Sequence, residues 1–243
     1  STNQQVNQLT EIFAMLSAMK ILFTRFPLES SHGGAEMQTL SLMKGFMKRG
    51  HAVAFLGSCP VLLEMCREQG VLCAELDIGK PPVTKWSTIS FAWRRQKMQQ
   101  TLESAIGEFG SLDVICMLSL SEKILLTRPA AKRGIKVVWI EHDRIGRWLA
   151  KNPWLNYVLH AAKKATTVAV SQLTKAHYIK LGWPEENIVD IVNGIDVVRL
   201  GETKSQVPSP KSQVLRLGCV ARLSKDKGVD LLLEAIKDLP DVS

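Results

Sequence analysis

Two adjacent glycines, Gly33 and Gly34, are the residues whose type and position most directly suggest chemistry in this chain. They lie between a short apolar stretch, "KILFTRF" (20–26), and a run (37–47) whose apolar residues recur at helical spacing. Where a helix follows a strand, its N-terminus presents unpaired backbone N–H groups and the positive end of the helix dipole. Because glycine has no Cβ, a phosphate can approach that backbone closely. The alternative interpretation is a turn that needs a positive φ.

The sequence around the pair excludes two common phosphate-binding loops. It is not the dinucleotide fingerprint G-x-G-x-x-G, and no G-K-[ST] follows as in a P-loop. The chain has five cysteines, no C-x-x-C, and spacings that fit neither a zinc site nor a disulfide framework. We therefore expect no metal and interpret them as reduced cysteines of a cytoplasmic protein. They are Cys59, Cys66, Cys73, Cys116 and Cys219.

Composition describes a folded, basic protein. Of 243 residues, 46% are hydrophobic and 22% are charged, which allows a sizeable core and argues against wholesale disorder. Thirty-one Lys and Arg residues against 23 Asp and Glu give a net charge of +8, which favours phosphates, nucleic acid or anionic lipid as partners. No RNA- or DNA-binding motif is present, so we do not expect nucleic acid. No apolar run reaches the roughly 18–20 residues of a membrane span.

Strand-like and helical patterns alternate along the chain. Several strand-like runs are continuously apolar, as in strands buried on both faces. This alternation predicts an α/β fold with a Rossmann-like, doubly wound parallel sheet of six or seven strands, which binds ligands at the carboxyl ends of its strands. The predicted strands are 20–26, 51–58, 71–78, 112–119, 135–142, 166–171 and 187–193. The predicted helices between them are a first helix ended by Gly50, then 61–70, 88–110 and 171–182, the last with Ser171 as N-cap.

The ends of the chain differ from its middle. Residues 1–18 form an N-terminal extension with apolar residues at helical spacing, ahead of a domain at 19–200. Residues 201–213, "GETKSQVPSPKSQ", have the composition of a linker. A strand (214–221) and a helix (228–239) then begin a second domain that the chain truncates. One strand and one helix cannot bury a core alone, so we expect this segment to dock on the first domain or on a second copy.

Three stretches carry a resemblance to a known family. They are "GGAEMQTLSLMKGFMKRGHAV" (33–53), "VNGID" (192–196) and "VARLSKDKGVDLLLEAI" (220–236). As a set, and in this order, they resemble retaining glycosyltransferases of the GT-B fold, in the family 4-like group that includes glycogen synthase and lipid mannosyltransferases. The resemblance implies two Rossmann-like domains, the first binding an acceptor and the second a UDP-, GDP- or ADP-linked sugar, with no cofactor.

The resemblance also implies roles for individual residues. Arg222 and Lys227 fall on the family's donor-phosphate contacts, where they would stabilise a diphosphate leaving group without a metal. Gly33 and Gly34 would close the diphosphate site from the opposite domain. His142, in "WIEHD" at a strand end, falls where related enzymes place a histidine beside the reacting sugar. For Arg222 and Lys227, the alternative is that both are solvated charges around a turn. For His142, the alternative is a strand-end histidine that is hydrogen-bonded to a loop carbonyl.

The sequence leaves three classes of function open. The first is a nucleotide-sugar-dependent, retaining hexosyltransferase that acts on a sugar or a lipid-linked acceptor. The others are a non-catalytic interaction domain derived from a transferase and another Rossmann-like nucleotide-dependent enzyme, such as an oxidoreductase. The family's pair of glutamates late in the second domain is absent, because no glutamate follows Glu234. We therefore expect the 243-residue chain to be inactive by itself and to bind a nucleotide-sugar weakly.

Two stretches interleave aromatic and basic residues. "WSTISFAWRRQKM" (86–98) and "RIGRWLAKNPWLNYVLHAAKK" (144–164) have a composition that suits a helix lying on anionic lipid. The ordinary alternative is a helix with one face in the core and the other in water. The sequence leaves both interpretations open, a peripheral association with an anionic membrane surface and an ordinary helix packed on the core.

Overall fold

The computed structural model describes residues 19–27, 33–142, 150–194, 217–221, 223 and 225–237. The chain divides into two compact units, residues 1–196 and 197–243. Within the described ranges, no helix is long and apolar enough to cross a membrane.

The first unit is built on one seven-stranded parallel sheet. The order of its strands is β3-β2-β1-β4-β5-β6-β7, and every neighbouring pair is parallel. This confirms the predicted doubly wound α/β fold. The strands are β1 (Lys20–Arg25), β2 (Ala52–Gly57), β3 (Leu72–Glu75), β4 (Val114–Met117), β5 (Lys136–Glu141), β6 (Thr166–Ala169) and β7 (Ile188–Asp190).

Helices cover the sheet on both faces. Two of them, α1 (Gly34–Lys48) and α2 (Pro60–Glu68), contribute to one core with the odd-numbered side chains of β1. Four others pack on the opposite face, and a second core lies beneath them. Those four are α3 (Lys85–Gly107), α4 (Leu120–Lys132), α5 (Leu155–Ala162) and α6 (Gln172–Lys180). Burial on both faces explains why β2 is continuously apolar and why residues 21–23 of β1 are apolar.

The strand order reverses between β1 and β4. The chain leaves β1 toward α1 on one face and leaves β4 toward α4 on the other. At such a switch point the two connections diverge, which opens a crevice outside the carboxyl ends of the strands. The glycine pair, which supplies the N-cap and the first residue of α1, therefore lies at the edge of the sheet where this fold binds ligands.

The patterns in the sequence did not predict α4, whereas α5 lies within 144–164, a stretch whose composition suits a helix. Pro129 lies inside α4, and a proline within a helical pattern normally indicates a break. It is tolerated here in the last part of a helix whose other side chains are mostly buried. Ser171 is the N-cap of α6, as predicted, and its hydroxyl accepts from the Thr174 N–H.

The described part of the second unit contains a 3₁₀ turn, Lys225–Lys227, and one helix, α7 (Val229–Lys237). The helix confirms the pattern over 228–239. The strand predicted over 214–221 is wrong in its described part, because residues 217–221 adopt no regular secondary structure. A strand needs a hydrogen-bonded neighbour, and the described residues of this unit include none. Residues 1–18 and the linker, 201–213, lie outside the described residues.

Candidate functional site

The glycine pair opens α1 without the strain that a turn would impose. Gly33 is the N-cap, with extended backbone (φ −132°, ψ 173°) and no side chain to cap the helix. Gly34 is the first helical residue and is not among the glycines with positive φ. A Cβ placed on Gly34 would meet nothing within 4 Å. The alternative interpretation, a turn that needs positive φ, is therefore wrong, and the packing of this unit does not require glycine at position 34.

An ion pair fixes α1 to the end of β1. The Arg25 guanidinium donates to Glu36 Oε1 at 2.5 Å, and the two side chains are only 13% and 4% exposed. Glu36 lies in the first turn of α1, where a carboxylate also interacts favourably with the helix dipole. Because Arg25 is the last residue of β1, this pair holds the start of the helix over the carboxyl end of the strand.

His142 follows β5 and contacts α1. Its Nε2 is 3.4 Å from Oγ1 of Thr39, a buried residue near the middle of that helix. The Thr39 hydroxyl donates its one proton to the Ala35 carbonyl at 2.7 Å, so it can only accept from the histidine. Nε2 of the ring therefore carries a proton at this contact. The structure brings His142 and the glycine pair to the same edge of the sheet.

A second buried ion pair lies one residue before His142. Lys123 Nζ, in the first turn of α4, donates to Oε1 of Glu141 at 2.7 Å, and both side chains are nearly buried. The lysine also lies 5.9 Å from the centre of the Trp139 ring. This contact joins the start of α4 to the end of β5. It explains Glu141 as a structural partner of a lysine, whereas its neighbour Asp143 lies outside the described residues.

A capping box at the start of α4 lies at the switch point between β1 and β4. Ser119 and Glu122 cap the start of α4, and Glu122 Oε1 accepts from the Ser119 N–H at 2.6 Å and the Leu118 N–H at 3.2 Å. The Ser119 hydroxyl accepts from the Phe26 N–H, just after β1, at 3.0 Å. Glu122 is fully buried, and this burial raises the pKa of its carboxyl to about 7. Its Oε2 has no hydrogen-bond partner in the described part of the chain.

An apolar cavity of about 250 Å³ lies beside His142. Its polar residues are Gln38, Thr39, His142 and Asn193, and the rest of its lining is apolar. The apolar side chains come from the α1 face of β1, β4, β5 and β6, from α1, and from the segment after β7. The cavity could therefore accept a hydrocarbon portion of a ligand while His142 contacts a polar portion. The sequence patterns gave no indication of it.

The remaining predicted donor contacts belong to the second unit. Lys227 is exposed at the end of the 3₁₀ turn, immediately before Gly228 (φ +63°) and α7. Arg222 lies outside the described residues. Among the described residues, no cluster of three or more His, Cys, Asp or Glu side chains could hold a metal ion. The five cysteines are all free, and burial raises the pKa of Cys66 and of Cys116 to about 12.

Comparison with known proteins gives one family and several similar folds. Residues 32–199 match the family described as Glycosyltransferase Family 4. No curated protein sequence matches the chain significantly. The crystal structure of Anabaena Alr3699/HepE in complex with UDP and glucose is similar to the chain, with a TM-score of 0.63 and 18% identity over 92% of this chain and 59% of that one.

Two further structures support the same fold. Alr3699/HepE in complex with UDP-glucose matches with a TM-score of 0.56 and 17% identity over 74% of this chain and 45% of that one. A glycosyltransferase from Rickettsia africae ESF-5 matches with a TM-score of 0.54 and 18% identity over 93% and 51%. The chain thus spans about half the length of these solved proteins.

Proposed function

The chain belongs to glycosyltransferase family 4, and on that premise we propose that it contributes the acceptor-side domain of a retaining enzyme that transfers a sugar from a nucleotide-sugar. The observation that carries the proposal is at the carboxyl edge of the sheet. There Gly34 opens α1 although the packing of the unit leaves open space at its Cβ. A bare helix N-terminus at this edge suits the phosphates of a donor. The UDP-glucose complex of the similar Anabaena protein supports the same class of donor.

The chemistry assigns a role to each candidate residue. As the bond between sugar and diphosphate breaks, negative charge grows on the leaving phosphate. The N–H groups after Gly33, together with Arg222 and Lys227, stabilise that charge, so no metal ion is required. His142 contacts the reacting sugar or the acceptor, and Thr39 holds its ring by the 3.4 Å contact. Thr39 is a positioning residue.

The apolar cavity beside His142 favours an acceptor with a hydrocarbon portion, such as a lipid-linked sugar. Such an acceptor places its polar end at His142 and Asn193 and its apolar portion against the sheet. A fully polar acceptor would leave this lining without a partner. The reaction then takes place in the cytoplasm, at the surface of a membrane.

Donor contacts are tested in the full-length protein. Arg222→Ala and Lys227→Ala should each lower kcat/KM by about 2–4 kcal/mol of transition-state stabilisation, the range for a donor lost at a developing anion. Lys237→Ala, at the exposed end of α7, is the matched control and should leave kcat/KM unchanged. Wild-type kinetics in either variant would show that the substituted residue does not contact the donor.

The 243 residues alone should behave differently from the full-length protein. Leu231 and Leu233 of α7 are 67% and 64% exposed, so the isolated chain should self-associate. It should also bind nucleotide-sugar weakly and catalyse no transfer. Light scattering and calorimetry test these statements. A monomer, or micromolar affinity for the donor, would contradict them.

A further inference from the structure

A polar groove of about 760 Å³ lies between α3, α4 and α5. Its volume is that of a site for a small molecule. Residues four apart on α3 line one side of the groove, and the other side is formed by the C-terminal parts of α4 and α5. The groove is rich in cations, which are Arg95, Arg128, Lys132, Arg133 and Lys164. We call this site the basic groove.

The carboxylate of the basic groove is already satisfied by its neighbours. Among the described residues that line the groove, only Glu103 carries a carboxylate. Its Oε2 accepts from the Arg133 guanidinium at 2.7 Å, and its Oε1 accepts from the Gln99 amide at 2.7 Å. Four cations of the groove therefore form no ion pair within the part of the chain that the structure describes. They are Arg95, Arg128, Lys132 and Lys164.

Aromatic rings hold the two arginines in place of carboxylates. The guanidinium carbons of Arg128 and Arg95 lie 4.6 Å and 5.2 Å from the centre of the Tyr157 ring, and Arg95 also lies 5.9 Å from the centre of the Trp154 ring. A guanidinium over a ring keeps its N–H donors, because they point outward in its own plane. Both arginines are thus positioned without using the donors that a ligand would need.

This arrangement of charges costs stability unless an anion is bound. Arg128 and Lys132 lie four residues apart on α4, and like charges at this spacing destabilise a helix. Lys132 and Lys164 lie at the C-terminal ends of α4 and α5, where cations offset the helix dipole. That explanation does not extend to Arg95, which lies in the middle of the 23-residue α3. A bound anion would relieve the repulsion among all four cations.

The basic groove is separate from the candidate functional site. Because α4 leads from the carboxyl end of β4 to the amino end of β5, Lys132 in its last turn lies at the amino edge of the sheet. Lys164, two residues before β6, lies at the same edge. Gly34 and His142 lie at the carboxyl edge. A ligand of the groove is therefore additional to the substrates of the candidate site.

We propose that the basic groove binds a soluble anion that carries two or more phosphate groups. The N–H fork of a guanidinium fits the oxygens of a phosphate, and a lysine adds a point charge. Each phosphate group supplies about two negative charges at most, so the four unpaired cations match a diphosphate or a triphosphate better than a single phosphate. The binding of this anion does not depend on the proposed function.

Calorimetric titration of the full-length protein with inorganic triphosphate, without lipid or sugar donor, tests the site. The titrated protein carries Arg222→Ala/Lys227→Ala, which removes the proposed phosphate contacts of the donor, and we call it the parent. We expect the parent to bind one equivalent of triphosphate, and to bind it more weakly as the salt concentration rises. Its affinity for inorganic monophosphate should be lower by about tenfold or more, because fewer charged hydrogen bonds form.

Two matched pairs of substitutions, each made in the parent, test the position of the site. Arg128→Gln/Lys132→Gln should weaken triphosphate binding by about tenfold or more, since charged hydrogen bonds are lost. Lys48→Gln/Arg49→Gln removes the same charge at the exposed end of α1, on the other face of the sheet, and should bind like the parent. Equal losses from the two pairs would show attraction by net charge alone and would overturn the site.

A milder substitution keeps the test decisive if the Arg128→Gln/Lys132→Gln protein does not fold. Lys164→Gln changes a single exposed side chain and should still weaken binding severalfold. Lys97→Gln, at an exposed position of α3 that does not line the groove, is its control and should bind like the parent. Equal affinities in these two variants would contradict the proposal.

Thermal melting gives an independent measurement of the same site. Because a ligand that binds only the folded state stabilises it, triphosphate should raise the melting temperature of the parent and not that of Lys164→Gln to the same extent. No binding of triphosphate by the parent would overturn the proposal. Binding of an oligonucleotide, or of vesicles with phosphorylated headgroups, without binding of triphosphate would also overturn it, because the phosphates would then belong to nucleic acid or to lipid.

Discussion

Thr39 accepts a hydrogen bond from His142 across the boundary between a helix and a strand, with 3.4 Å between Oγ1 and Nε2. His142 directly follows β5, and Thr39 lies in α1, whose first turn carries Gly34. The contact therefore couples the position of the histidine to the helix that opens the candidate donor site.

The first prediction concerns the space at Gly34. Gly34→Val should leave the melting temperature nearly unchanged, because a Cβ at this position meets no atom within 4 Å. Donor use should fall by about 100-fold in kcat/KM, because the side chain occupies the place of the phosphates. Gly45→Val is the matched control, since it lies in the same helix with equal space around it. Equal kinetics in the two variants would exclude a ligand at Gly34.

The second prediction concerns the histidine and its support. His142→Ala should lower kcat/KM by about tenfold or more, as expected for a lost hydrogen bond to substrate. Thr39→Val should lower kcat with little change in KM, because the ring loses its orientation, and Thr39→Ser should restore it. His177→Ala on α6 should behave like the wild type. Full activity of His142→Ala would show that the ring has only a structural role.

The third prediction concerns the buried ion pair of Lys123 and Glu141. Lys123→Met should destabilise the first unit by about 3–5 kcal/mol in urea unfolding, because it leaves a buried carboxylate without its partner. Lys123→Met/Glu141→Gln should recover most of this loss. For comparison, Arg67→Met removes the exposed pair with Glu75 and should cost less than about 1 kcal/mol. Additive losses in the double variant would contradict a direct interaction.

The fourth prediction concerns the pH dependence caused by Glu122. Burial raises the pKa of its carboxyl to about 7 in the folded protein, from its ordinary value of 4.5. Between these values the folded state binds more protons than the unfolded state, so this contribution to stability is complete below pH 4.5 and is lost as the pH rises toward 7.

The loss should amount to about 3 kcal/mol between pH 4.5 and pH 8. Glu122→Gln keeps an oxygen for the capping contacts and removes the charge. It should therefore remove this part of the pH dependence in urea unfolding measured at pH 5 and pH 8. If the free energy of unfolding changes with pH equally in the wild type and in the variant, the Glu122 carboxyl is ionised at both pH 5 and pH 8 in the folded protein.

The sequence predicted the sheet well because a parallel sheet covered on both faces needs long apolar runs. Strands such as Ala52–Gly57 are buried along their whole length and are therefore visible without any partner. The glycine pair could be recognised from the neighbouring residues alone, because an apolar strand precedes it and a helical pattern follows it.

The charged contacts around the site could not be predicted in the same way. The ion pairs form only when helices and strands pack together, and they join Arg25 with Glu36 and Lys123 with Glu141. Charged residues are usually exposed, so the sequence alone does not predict that these four side chains are buried. Lys123 was missed for a further reason. Pro129 normally indicates a break, so the sequence pattern did not predict the helix that contains Lys123. The exposure of Trp86 and Trp93 likewise depends on which face of α3 enters the core.

Proton NMR of the full-length protein with nucleotide-sugars tests the central claim most directly. UDP-, GDP- and ADP-linked hexoses are supplied in turn with a lipid-linked or an alkyl-linked acceptor, and the anomeric proton is followed in time. We predict that an α-linked donor is consumed and that the new glycosidic bond is also α, with loss of turnover in Gly34→Val and not in Gly45→Val. Consumption of no donor, or a β-linked product, would contradict the proposal of a retaining glycosyltransferase.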